Sequence, residues 1–220
     1  MKGIKYFDSM HVKKRSPVKY LIPRNLKRII FTIFVITIFS QIILADDKIV
    51  VENLLKERID NIIATLKNKD LDDKSKEGKI EDVIKPIINF KLMSMLALGK
   101  ESWTSLTAED QKRFVELFAN TIEQTLISKI LSYADESIVI EGSDQVNNKK
   151  VDVSTFIIDK EKKIAVLYKF YQSGSGWEIY DVEIEGVSIL KNFKSQFTDN
   201  LQEMTAKELM IKMEKSDSSR

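Results

Sequence analysis

The side chains that most enzymes use for group transfer are nearly missing from this chain. It has no cysteine and a single histidine, His11. Thiol nucleophiles, Ser-His-Asp relays and histidine metal sites therefore have no raw material beyond residue 11. Carboxylates, lysines and tyrosines remain. In "YDVEIEGVSILKNFKSQF", residues 180–197, Asp181, Glu183 and Glu185 alternate along a strand pattern. Neighbours two apart on a wet face have no reason for shifted pKa values. They read first as a solvated face and second as a docking surface for a basic partner. The stretch "SGSG", residues 173–176, reads as a hairpin turn, because a phosphate loop needs a following helix and lysine. Tyr168 and Tyr180 are the ionisable groups best placed within apolar stretches. No motif asks for a metal or cofactor, and none is expected.

The first 45 residues differ from the rest. Basic patches at Lys13-Lys14-Arg15 and at Arg24 with Lys27-Arg28 precede the uncharged run "IIFTIFVITIFSQIILA", residues 29–45, and Asp46 and Asp47 follow at once. This is the grammar of an export signal, with Met10 as an alternative start. The 17 residues of the run include Thr32, Thr37, Ser40 and Gln41, short and wet against the roughly 20 apolar residues of a spanning helix. Cleavage after Ala45 is expected, with an uncleaved anchor as the alternative. The leader holds nine basic residues and one acid. Taking these from 35 basic and 33 acidic residues leaves 26 and 32, so residues 46–220 carry a net −6. Such a balance is poor for binding nucleic acid, and no basic stripe interleaved with aromatics offsets it. Without disulfides, the fold must stand on its core.

Residues 46–220 read as one domain, helices first and strands second, which is α+β. Apolar positions at Val50, Leu54, Ile59, Ile62, Ile63 and Leu66 form a helical stripe. A second helix breaks near Pro86, and a third ends at Gly99. Trp103 falls in a short connection before a long helix opened by Thr107, with Asp110 three residues on. Residues 137–142, 150–158, 163–172 and 177–185 alternate as four strands joined by short polar turns, an antiparallel meander with the third strand central. After Gly186 the spacing of Val187, Leu190, Phe193 and Phe197 is helical. Gly186 is expected to bend the chain so that this helix closes the open end of the sheet.

Four stretches taken together resemble the MlaC family, the toluene-tolerance auxiliary proteins of ABC transporters. They are "INFKLMSMLALGKESW" (88–103), "LTAEDQKRFVELF" (106–118), "YADESIVI" (133–140) and "WEIYDVEIEGVSILKNFKSQF" (177–197). Asn89 stands where the family pattern usually has an acid. The resemblance implies an NTF2-like α+β fold, helices packed on a curved four-stranded meander that encloses an apolar pocket. It further implies a periplasmic phospholipid carrier, serving outer-membrane lipid asymmetry. Such a carrier shuttles cargo between an outer-membrane lipoprotein complex and an inner-membrane ABC transporter with an MCE-domain subunit. Bound phospholipid is cargo, no catalytic residue is needed, and a monomer is expected.

On that reading the candidate lipid contacts are Phe90, Met93, Trp103, Phe114, Phe118 and Ile122 of the helices. Val166, Tyr168, Phe170, Tyr180, Val182 and Ile184 join them from the strands, and Val187, Leu190 and Phe193 from the segment after Gly186. Each serves equally well as ordinary core, and the collective case for a cavity rests on the resemblance. Lys191 and Lys194 are candidates to face a lipid phosphate. Two other readings stay open: a membrane-tethered interaction module with a filled core, and an enzyme on small apolar substrates that would use Tyr168 or Tyr180.

Overall fold

A computed structural model describes residues 47–132, 136–160 and 162–217. The expected leader, its cleavage point and His11 lie outside the described residues. Residues 47–67 form helix α1, followed by α2 (Asp73–Ile84), a 3-10 turn (Lys85–Ile87), α3 (Phe90–Leu98), α4 (Lys100–Ser105) and α5 (Ala108–Leu131). Five strands come next: β1 (Ser137–Asn147), β2 (Lys150–Asp159), β3 (Lys162–Ser173), β4 (Gly176–Ile184) and β5 (Val187–Ser188). Helices α6 (Ile189–Asn200) and α7 (Ala206–Asp217) close the chain. Among the described residues no helix is long and apolar enough to cross a membrane.

Local chemistry explains most boundaries. Pro86 lacks an N–H and tightens the end of α2 into the 3-10 turn. Asn89 caps α3: its side-chain oxygen accepts from the Leu92 N–H at 2.8 Å, and its amide nitrogen donates to Glu178 of β4 at 2.8 Å. An acid would cap equally well but has no N–H to donate to Glu178. Gly99, at φ +83°, ends α3 and starts α4, so Trp103 sits on a short helix and not in an open connection. Thr107 caps α5, accepting from the Asp110 N–H at 3.1 Å.

The strands lie in the order β1-β2-β3-β4-β5, each antiparallel to the next, with β3 central as expected. The four-strand expectation is corrected by β5, a two-residue strand paired to the end of β4. Ile184 pairs with Val187, leaving Glu185 (φ +51°) and Gly186 (φ +78°) as a two-residue hairpin turn. Positive φ at both central positions matches the right-handed twist of the flanking strands. Glu185 is held in this unusual conformation by Ala165. Its N–H donates to the Ala165 carbonyl and its carboxylate accepts from the Ala165 N–H, both at 2.9 Å. Gly186 therefore makes a tight reversal, and Val187 beyond it is 63% exposed rather than turned inward.

Opposite β3, strand β4 carries one extra residue. Phe170 faces Ile179 and Lys169 faces Asp181, with Tyr180 left over between them. The bulge resets the alternation. Ile179, Val182 and Ile184 share the inner face with Phe170, Tyr168 and Val166, whereas Tyr180 leaves it and meets the Lys150 ammonium at 5.0 Å. Asp181 is 3% exposed, which corrects its reading as a solvated side chain. It accepts from the Ser188 hydroxyl at 2.7 Å and the Leu190 N–H at 3.1 Å, while Ser188 itself caps α6 through the Lys191 N–H at 2.9 Å. The Lys169 ammonium lies 3.8 Å from Asp181 and also bonds Glu183.

Helices α1, α2, α3 and α5 contribute buried apolar side chains, among them Val51, Ile80, Met93 and Phe118, to one core with this inner face. α7 packs on α5 through buried Leu209 and Met210. The surface pairs Arg113–Glu214 and Lys207–Asp110 flank that contact and add little to it.

Two outcomes follow. Asp181→Ala strips α6 of a buried cap and leaves Lys169 with one carboxylate fewer, and is expected to lower stability by about 2–3 kcal/mol. Equilibrium urea unfolding measures it. A Cβ added at Gly186 meets no neighbour within 4 Å, so the cost expected of Gly186→Val comes chiefly from the positive φ, about 1–2 kcal/mol. Gly186→Asn, which tolerates that conformation, should lose less in the same assay.

Candidate functional site

A cavity of about 120 Å³ lies between the helices and the sheet. Its helical wall comes from the α1 stripe (Leu55, Ile59, Ile62, Ile63, Leu66), from Ile84, Ile87 and Ile88 around the 3-10 turn, and from Leu126 and Ile130 of α5. The sheet side is Ile138, Ile157, Val166, Tyr168, Ile179, Val182 and Ile184. Ile88 is fixed against the sheet by a bridge to Ile179, whose carbonyl accepts from the Asn89 N–H at 2.9 Å. Of 20 lining residues, 16 are leucine, isoleucine or valine. Such a surface offers no directional partner to a polar molecule and favours saturated hydrocarbon. The remaining four are Tyr168, Arg58, Lys129 and Glu136.

Tyr168 does not supply a reactive group. Burial pushes its phenol up to about 12, against a smaller opposite effect from its hydrogen bond with Thr155. At neutral pH it is a neutral hydroxyl. Behind the wall, Glu123 of α5 is buried and sits 3.5 Å from Lys85 of the 3-10 turn. Burial raises its carboxyl, and the Lys85 charge offsets only part of that. The pair ties α5 to the turn that carries Ile84 and Ile87.

Of the 15 residues named from the sequence, the structure places Val166, Tyr168, Val182 and Ile184 in the cavity wall. Trp103, Phe114, Phe118 and Phe193 join Phe197 in a ring cluster instead. Phe114 and Phe118 stack at 6.1 Å, and Phe197 meets each of them edge-on at 5.7 Å. Trp103 abuts Phe114 at 6.5 Å and Phe193 abuts Phe118 at 5.3 Å. Rings this close fill their own space. Met93, Ile122, Phe170 and Leu190 are buried core and Phe90 packs beside them, outside the cavity wall. Tyr180 and Val187 lie outside it as well, through the bulge and the hairpin described above. Neither Lys191 nor Lys194 reaches the cavity; Lys191 approaches Glu183 at 3.9 Å. What sequence reasoning missed is the branched aliphatic set from α1, Ile84 to Ile88 and the α5 end. The α1 stripe was visible, but its lack of aromatics was the signal for unfilled space.

A wider groove of about 610 Å³ adjoins the cavity between α5, α6 and α7, sharing Lys129 and Ile184 with it. Its wall mixes Phe193, Val187 and Met213 with Thr121, Thr125, Asn192, Gln196, Asn200 and Lys212. Nine of its 16 lining residues are polar, against four of 20 in the cavity, so the aliphatic cavity is the better apolar site.

Known proteins are similar to this chain. The intermembrane phospholipid transport system binding protein MlaC of Haemophilus influenzae is 27% identical over 138 residues, 60% of this chain and 64% of that protein. The toluene tolerance protein ttg2D of Pseudomonas putida is 22% identical over 121 residues, 54% of this chain and 56% of that protein. The chain thus spans less than two thirds of the length of both relatives. A phospholipid-binding protein from Ralstonia solanacearum, solved in complex with a phospholipid, shares the fold with a TM-score of 0.67 at 21% identity. That match covers 76% of this chain and 96% of the other. The family model for the MlaC protein matches residues 56–215, and the chain belongs to the MlaC family.

Proposed function

We propose that this protein is a phospholipid carrier that holds acyl chains in the aliphatic cavity between α1, α5 and the sheet. The observation that carries the reading is the wall itself, 16 of 20 residues leucine, isoleucine or valine. The names of the relatives point the same way. The leader directs export, and residues 46–220 work in the periplasm. There they exchange lipid with an outer-membrane lipoprotein complex and with an inner-membrane ABC transporter that has an MCE-domain subunit.

Energetics define the task. Two acyl chains carry roughly 30 methylenes, worth about 24 kcal/mol when removed from water. A bilayer gives them a similar amount, so exchange between membrane and carrier is close to balanced. Direction then comes from a partner that consumes ATP, and the carrier needs no reactive side chain of its own. The cavity of about 120 Å³ is on the scale of an engineered one, about 150 Å³, that holds benzene. Two full chains need several times that space, so loading parts the layers. Helix α1 supplies six of the 20 wall residues and joins α2 through residues 68–72. It moves outward without breaking a single strand pairing.

The test is native mass spectrometry of the protein isolated from a periplasm without detergent, with solvent extraction of what it holds. A phospholipid mass at near-stoichiometric occupancy supports the carrier. A protein that stays lipid-free after incubation with liposomes overturns it and leaves the filled-core module. Val182→Phe places extra bulk in the cavity. It should lower the loaded fraction several-fold at a stability cost of about 1–3 kcal/mol, read by the same mass spectra and by thermal unfolding.

A further inference from the structure

The cavity wall carries three charged side chains: Arg58 of α1, Lys129 of α5 and Glu136 ahead of β1. Arg58 is the unusual one. Its side chain is 27% exposed, yet its Nε is shut off from solvent and meets no acceptor. The guanidinium has one loose ion pair, 3.8 Å to the exposed Glu57 beside it in the chain. A buried donor without an acceptor is costly, and a planar guanidinium offers paired N–H groups that match two oxygens of one anion. Lys129 forms no ion pair with a described residue. Its place in the last turn of α5 suits a cation in any case, so Arg58 carries the argument and Lys129 adds to it. Glu136 has an interaction of its own, and two cations against one carboxylate leave this wall positive. Lys129 also lines the groove of mixed polarity, so an aliphatic space and a more polar one meet beside it. A molecule that suits both is an amphiphile with an anionic, oxygen-rich head.

We propose that Arg58, assisted by Lys129, is an anion seat for the phosphoryl group of the lipid whose chains occupy the cavity. The protein then selects phospholipids over uncharged lipids with the same chains. This rests on the carrier reading and adds a head-group determinant to it.

The test uses the full chain, stripped of lipid and offered vesicles that contain phosphatidylethanolamine and diacylglycerol of identical acyl chains. Native mass spectrometry reads the ratio of the two lipids bound. Wild type should favour the phospholipid. Arg58→Gln should cut the ratio by about tenfold, the worth of a charge-assisted hydrogen bond, with diacylglycerol uptake preserved. Lys129→Gln should cut it less. Arg58→Lys should restore part of the ratio, and it carries the test alone if the glutamine variant does not fold. An unchanged ratio in Arg58→Gln, with wild type loading normally, overturns the seat and leaves the carrier standing. Wild type that takes up neither lipid removes the carrier reading and the seat with it. Arg58-dependent binding of inorganic phosphate, without any preference between the two lipids, assigns the site to free phosphate and overturns the lipid proposal.

Discussion

Between Lys169 and Phe170 the third strand faces Ile179 and Asp181 of the fourth, with Tyr180 left over, and the division of the interior depends on that extra residue. Without it, Tyr180 would stand on the inner face beside Val182 and Ile184, and a phenol ring would occupy space near the sheet end of the cavity. With it, the smaller Ile179 takes that place. Asp181, next to the bulge and in regular register opposite Lys169, holds Ser188 and the first turn of α6. A buried carboxylate there is tolerable only because it collects two hydrogen bonds and the Lys169 charge. The inserted residue thus leaves room on the inner face, and its neighbour Asp181 anchors a helix.

The interior has two kinds of packing. Around α5 and α6, five aromatic side chains stack and abut at centroid distances between 5.3 and 6.5 Å. Flat rings of complementary orientation leave little between them. Between α1 and the sheet, two layers of branched aliphatic side chains face each other, and their rounded surfaces do not fill the gap. The aromatic half ties α4, α5 and α6 together, so the proposed outward movement of α1 leaves that half intact. Rigidity and space are therefore assigned to different residue types on the same long helix α5, with Phe114 and Phe118 at one end and Leu126 and Ile130 at the other.

This division explains what the sequence disclosed. The helical stripes, the change to a period of two at residue 137 and the order of the meander were legible, because each is a periodicity. So were the caps at Thr107 and Gly99. The bulge was not: Ile179 and Tyr180 are both apolar, so the alternation that ends in "YDVEI" fits either face equally. Glu185 was hidden for a similar reason, since nothing in a glutamate announces a positive φ; only its bonds to Ala165 do. The site residues were sought among large aromatics, and these proved to be the ones that fill space. Val166, Tyr168, Val182 and Ile184 reach the cavity because they follow the inner face of the sheet, which the alternation did reveal.

A constraint from cavity energetics accounts for the modest size of the site. Unfilled apolar volume costs about 24 cal/mol per Å³, so the observed 120 Å³ corresponds to about 3 kcal/mol. Five times the benzene-sized cavity, about 750 Å³, is the order of space that two acyl chains require. Held open permanently it would cost about 18 kcal/mol, more than the whole stability of an ordinary domain, about 5–15 kcal/mol. A site of that size is therefore stable only when filled, by water or by hydrocarbon. On the proposed carrier reading the wall closes as cargo leaves and reopens as cargo arrives, with the hydrocarbon as the packing of the open form. The aliphatic wall on α1 suits that exchange: branched side chains slide past one another, no strand pairing is at stake, and a polar tie to release is the bond from the Ser143 hydroxyl of β1 to Glu52 of α1.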